Sequence, residues 1–127
     1  MDQEMRAILG AALEVHAQLG PGYMETVYQE ALAMELGIRG IAYQREVHVP
    51  VFYKGRPLTN WYRADFVCGD TVVELKAVST LNAKDDAQVR SYLKAIGQRH
   101  GLLFNFGQRR LQFKRLVVEQ EQDVGSV

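Results

Sequence analysis

Asp65 and Glu74 stand on either side of a Gly69-Asp70 pair, in stretches that read as two strands, Trp61 to Cys68 and Thr71 to Val78. Glycine accepts the positive φ of a two-residue loop, so Gly69-Asp70 predicts a tight hairpin. Pairing Cys68 with Thr71 puts Asp65 directly opposite Glu74 and Arg63 opposite Lys76, with all four on one face. Ala64, Phe66, Cys68, Val73, Leu75 and Ala77 take the other face, which is apolar and reads as core. Opposed Cβ atoms lie about 5 Å apart, where two carboxylates repel by roughly 3 kcal/mol at an effective dielectric of about 20. An exposed ion pair returns less, about 0–1 kcal/mol. The pair therefore needs positive charge beside it. Lys76 and Arg63 can supply that charge, and so can a divalent cation such as Mg²⁺, which often takes one or two carboxylates and fills its shell with water and phosphate oxygen. A lysine two residues beyond a ligand can hold a water or a phosphate, while the metal lowers the water's pKa. The same four residues would also make a solvated ion network, and spacing alone leaves both readings open.

Helices and strands must position these groups. Gln3 to Leu19 places Ile8, Ala11, Ala12, Val15 and Leu19 at helical spacing. Gly20-Pro21-Gly22 ends that helix, because proline cannot continue it and glycine accepts left-handed backbone. A second helix runs from about Met24 to Arg39 on the stripe Val27, Tyr28, Ala31, Leu32 and Leu36. Val47, Val49 and Val51 then alternate with His48, Pro50 and Phe52, which predicts a strand to Tyr53 with Pro50 at an edge or bulge. Lys54-Gly55-Arg56-Pro57 predicts a turn. Asn82, three residues before Asp85, predicts the N-cap of a helix to about Gln98. Gly101 to Phe106 and Leu111 to Val118 read as short strands. The order is ααβββαββ, an α/β (α+β) domain over residues 1–118 with a mixed sheet flanked by helices, followed by a polar, frayed tail at 119–127.

The composition is that of one soluble domain: 127 residues, 47% hydrophobic and 24% charged. It excludes disorder, collagen-like repeats and coiled-coil rods. No apolar run approaches the roughly 20 residues that cross a membrane, and Met1-Asp2-Gln3-Glu4 lacks the basic start of a signal peptide. The one cysteine, Cys68, has no partner for a disulfide and no Cys/His cluster suggests zinc. The expectation is a cytoplasmic protein. His16 reads as a partly buried structural histidine, His48 as exposed, and His100 as complementing a helix end. Tyr28, Trp61 and Phe66 read as core.

Asp65, eight intervening residues and Glu74-Leu75-Lys76 resemble the D-x(n)-(D/E)-x-K signature of the PD-(D/E)XK nuclease superfamily. Its core order is similar to that read from Met24 to Phe106. Gly22-Tyr23-Met24-Glu25-Thr26-Val27-Tyr28 resembles the name-giving motif of the GxxExxY family, a bacterial branch of that superfamily. Leu19-Gly20-Pro21-Gly22, Val73 to Val78 and Leu103-Phe104-Asn105-Phe106-Gly107 extend the likeness over Ile8 to Val118. The resemblance implies a nuclease hydrolysing DNA or RNA, with Asp65, Glu74 and the Leu75 carbonyl holding Mg²⁺ or Mn²⁺. It implies that Lys76 assists the water and that Glu25 points toward the metal. Gln88-Val89-Arg90-Ser91-Tyr92 resembles a Q-x-x-x-Y element of exonuclease-type members, which adds Gln88 and Tyr92 to the pocket. Ala64 departs from the proline of the superfamily's name, a substitution that leaves the metal chemistry intact. The competing reading is a non-catalytic module that keeps the fold for nucleic-acid or protein interaction.

Charge bears on the substrate. Fifteen Lys and Arg balance fifteen Asp and Glu, and zero net charge argues at first against a nucleic-acid binder. The zero conceals a division: residues 84–115 carry eight basic and two acidic side chains. That block begins on the helix of Gln88 and Tyr92. With Arg63, its residues Lys84, Arg90 and Lys94 could line a phosphate path. Binding would be weak and salt-sensitive, helped by a second copy or a partner protein.

Overall fold

The computed structural model describes residues 1–119, so all but the first residue of the expected polar tail lies outside the described residues. The elements follow the expected order: α1 (Gln3–Leu19), α2 (Glu25–Ile38), β1 (Gln44–Tyr53), β2 (Arg56–Cys68), β3 (Thr71–Lys76), α3 (Ala83–Ile96), β4 (His100–Asn105) and β5 (Gln112–Val117). The five strands form one sheet in chain order, with β3 and β4 parallel and the other neighbours antiparallel. Among the described residues no helix is long and apolar enough to cross a membrane.

Helices cover both faces of the sheet. Met5, Ile8, Leu32 and Leu36 of α1 and α2 pack with Phe66, Val73, Leu75 and Phe104. Val89 and Leu93 of α3 pack with Val72, Leu103 and Leu116. Successive residues of β3 thus enter different cores, as strand alternation requires. The solvated face that a surface ion network would need beside Glu74 is absent. Glu74 is only 4% exposed, on the side that α3 covers.

Three local readings need correction. Lys54 and Gly55 alone make the β1–β2 turn, both at positive φ (49° and 75°), so Arg56 and Pro57 already lie in β2. Such a pair suits the right-handed twist of a hairpin. Trp61 is 53% exposed rather than core, because this ribbon extends beyond the part of β2 that pairs with β3. α3 stops at Gly97, so His100 opens β4 and does not serve a helix end. Pro50 sits as expected: β1 is an edge strand, and its register shifts between Pro50 and Phe52.

A buried asparagine ties the end of β3 to the end of β4. Asn105 Nδ2 donates to the Val78 carbonyl at 2.9 Å, and its Oδ1 accepts from the N–H groups of Val78 and Gly107, each at 3.0 Å. Gly107 presses so closely on the Val78 backbone that a Cβ there would overlap it. Together they set the path of the chain just after Lys76. Asn105→Ala removes three part-buried hydrogen bonds, each contributing about 0.5–1.5 kcal/mol, and should cost about 2–4 kcal/mol of stability, measured by denaturant melts; a loss below about 0.5 kcal/mol would show that this clamp does not hold the strand ends.

Candidate functional site

The β2–β3 hairpin starts in the expected register, Cys68 with Thr71, Val67 with Val72 and Phe66 with Val73. The ladder ends there, one residue short of Asp65 and Glu74. The Asp65 N–H donates to the Glu74 carboxyl at 3.1 Å, and the Asp65 carboxylate accepts from the Leu75 N–H at 2.8 Å. Each acid thus takes an N–H of the other strand that would otherwise have sought a carbonyl. Arg63 does not face Lys76, as expected from the turn; it pairs with His48 on the exposed β1–β2 ribbon. Ala64 also changes sides. It joins the α3 core with Val49, whereas Phe66 and Cys68 join the α1/α2 core. The switch falls across Asp65, opposite Glu46, whose φ is 53°.

Helix α2 brings two more side chains. Buried Gln29 donates from Nε2 to Asp65 Oδ1 at 2.8 Å and accepts from Arg45 Nε, also at 2.8 Å. Glu25 lies one turn earlier. Its carboxyl is raised by burial first and Asp65 second, while Lys76 pulls it back. The start of α2 is held by Tyr28, whose hydroxyl donates to the Gly20 carbonyl at 2.5 Å and accepts from the Tyr23 N–H at 3.2 Å. The Tyr28 ring stacks on Phe106, with centroids 4.6 Å apart. Gly22, between the bonded Gly20 and Tyr23, takes φ 117°, a backbone conformation that residues with a Cβ rarely adopt. Gly22, Glu25 and Tyr28 are therefore a loop, a site residue and an anchor.

Helix α3 closes the other side. Asn82 and Asp85 form a capping box, and the Asp85 carboxylate also meets Lys76 Nζ at 3.9 Å. Tyr92, two turns on, is 4% exposed. Burial chiefly, and then Glu74, raise its phenol. Gln88 is half-buried one turn before it, while Lys84, Arg90 and Lys94 are exposed. Arg90 turns toward β5, donating to the Val117 carbonyl at 3.4 Å. The structure gathers Glu25, Asp65, Glu74, Leu75, Lys76 and Tyr92. Sequence reasoning missed Gln29, although it lies one turn after Glu25 on the same helix, and it read Asp85 only as a cap.

The opposed carboxylates do not carry two bare charges. Burial, then the hydrogen bond and charge of Asp65, push the Glu74 carboxyl up to about 10. That shift favours the protonated form of Glu74, which relieves the repulsion inferred from spacing. Among the described residues no group of three or more His, Cys, Asp or Glu side chains could hold a metal ion. The available donors are Asp65, Glu74 and one carbonyl. The Leu75 N–H faces β2, and strand geometry aims the Leu75 carbonyl at the same gap. Two carboxylates and a carbonyl, all hard oxygens, fit Mg²⁺ or Mn²⁺ with water and phosphate completing the shell. Binding would require Glu74 to release its proton.

Comparison with known proteins adds a family and a fold. The family model of the PD-(D/E)XK nuclease superfamily matches residues 2–116. The crystal structure of SSO0001 is similar at a TM-score of 0.52 and 15% identity, over 94% of this chain and 80% of that chain. That likeness is one of fold. No curated protein matches the chain.

The raised Glu74 makes metal-free stability depend on pH. The folded state holds a proton that the unfolded chain releases near the usual carboxyl value of 4.5. The contribution is full below 4.5 and is lost as pH rises toward about 10. In Glu74→Gln the amide reproduces the protonated acid, accepting from the Asp65 N–H and donating to its carboxylate. In chelator at pH 8 this variant should be more stable than wild type by about 1 kcal/mol or more, with the advantage shrinking toward pH 4. Equal melting temperatures at both pH values would remove the proton from this pair.

Proposed function

The chain belongs to the PD-(D/E)XK nuclease superfamily, and on that premise we propose that it is a divalent-metal-dependent phosphodiesterase acting on DNA or RNA. The observation that carries this reading is the gap between β2 and β3, where Asp65, Glu74 and the Leu75 carbonyl converge with Lys76 alongside. A structural hairpin has no need to break its ladder around two acids. The finer placement in the GxxExxY branch is supported by the distinct roles of Gly22, Glu25 and Tyr28 in the loop, the site and the anchor.

Asp65, Glu74 and the Leu75 carbonyl would hold Mg²⁺ or Mn²⁺. When bound, the ion supplies a water of lowered pKa and a positive charge for the phosphoryl oxygens. Lys76, the next residue of β3, would hold the water or a phosphate oxygen with its ammonium. Asp85 keeps that ammonium from swinging away. Glu25 faces Asp65 and Lys76 from across the gap, and its raised carboxyl can take up a proton released there. Gln29 fixes the Asp65 rotamer through Oδ1. Tyr92 closes the pocket over Glu74 from α3, and Gln88, one turn before it, would extend that wall.

A non-catalytic binding module remains the second reading, because both Asp65 oxygens already accept hydrogen bonds. Cleavage of single- and double-stranded DNA and RNA with Mg²⁺ or Mn²⁺ separates the two. Asp65→Ala and Lys76→Ala should each lower the rate by about 100-fold or more relative to wild type. Equal rates in all three proteins would reject the site. No cleavage by wild type, together with no metal binding by calorimetry, would establish the module instead.

A further inference from the structure

The β1–β2 ribbon has a composition unlike the rest of the chain. Between Val47 and Ala64 there is no acidic residue, while Lys54, Arg56 and Arg63 are basic and Phe52, Tyr53, Trp61 and Tyr62 are aromatic. The four aromatics are all exposed, Phe52 by 59% and Tyr62 by 39%. None of the four belongs to either core. Between this ribbon and α3 runs a groove of about 480 Å³ lined by Pro50, Val51, Phe52, Tyr62, Lys94 and their neighbours on α3, without a single carboxylate. The groove lies beside the carboxylate gap: the Tyr62 ring on its wall is 5.2 Å from that of Tyr92, and Tyr92 abuts Glu74.

We infer that this groove seats an unpaired nucleotide of the strand being cut, with its base against Phe52 and Tyr62 and its phosphate at Lys94. Aromatic faces flanked by cations are what an unstacked base and its backbone require. In a duplex the base faces are covered by their neighbours, so Phe52 and Tyr62 have nothing to stack on. The groove therefore makes the protein prefer single strands, frayed ends or gaps over intact duplex. The ribbon's cations, Lys54, Arg56 and Arg63, extend the favourable potential along the strand. This inference rests on a nucleic-acid substrate, though not on catalysis.

The test is binding without divalent ions, so that no cleavage occurs. Fluorescence anisotropy compares a labelled single strand, the blunt duplex of the same sequence, and an abasic strand of equal length and charge, in both DNA and RNA forms. Wild type should bind the single strand about tenfold more tightly than either the duplex or the abasic strand, in whichever sugar it favours. Phe52→Ala, at an exposed position, should remove most of that preference and Phe52→Trp should restore it. Lys94→Ala should weaken binding and flatten its salt dependence. Equal affinity for abasic and ordinary strands, an unaffected Phe52→Ala variant, or no binding of any strand would overturn the inference. Cleavage without strand preference would sink the groove and leave the nuclease reading standing; strand-selective binding without cleavage would do the reverse.

Discussion

A single exchange across the β2–β3 hairpin organises this molecule. Asp65 and Glu74 each accept an N–H from the opposite strand, and the ladder that runs cleanly through Phe66 and Val73 opens around them. Backbone groups in a dry sheet cannot be left unpaired, so the carboxyls are structural partners as well as candidate ligands. Burial, and then sharing so small a space with Asp65 without a cation, push the Glu74 carboxyl toward its protonated form. The surrounding elements hold the opening in shape, with Gln29 steadying Asp65 from α2 and Tyr92 closing over Glu74 from α3.

Much of this was legible in the residues. The Gly69-Asp70 turn set the register, Asn82 and Asp85 announced α3, and the run from Gly22 to Tyr28 resembled a motif whose parts the structure uses separately. The misreadings share a cause. Period-2 alternation assumes a regular strand, and β2 changes face where Asp65 lies opposite Glu46, so Ala64 and Arg63 could not be assigned by counting from the turn. Alternation also cannot distinguish a solvated face from one covered by a polar-edged helix, which concealed the burial of Glu74. Trp61 was misplaced because large aromatics are usually buried, while nothing in the residues revealed how far the ribbon outruns its neighbour. Gln29 escaped because a glutamine on a helix carries no chemical signature until its partner is known.

The motif residues outside the acids act through geometry. Tyr28 ties the loop before α2 to its own helix by two hydrogen bonds and stacks on Phe106 just after β4, so one side chain locates α2 relative to both its loop and the sheet. Asn105 does the same for the chain leaving β3. The fold likeness to SSO0001 at 15% identity fits this division, since a scaffold can be kept while most of its residues change.

The order of synthesis gives the Asn105 clamp another meaning. Both acids and Lys76 belong to the first three strands, while Asn105 arrives only after α3 has crossed to begin the parallel partner of β3. A ribosome-bound chain ending at α3 already carries the acids, yet its Val78 backbone has no asparagine to meet and its Lys76 carbonyl has no Phe106 N–H. The parts that would do chemistry are made early and aligned late. A nascent protein built in this order holds no finished site until almost the whole described domain has emerged.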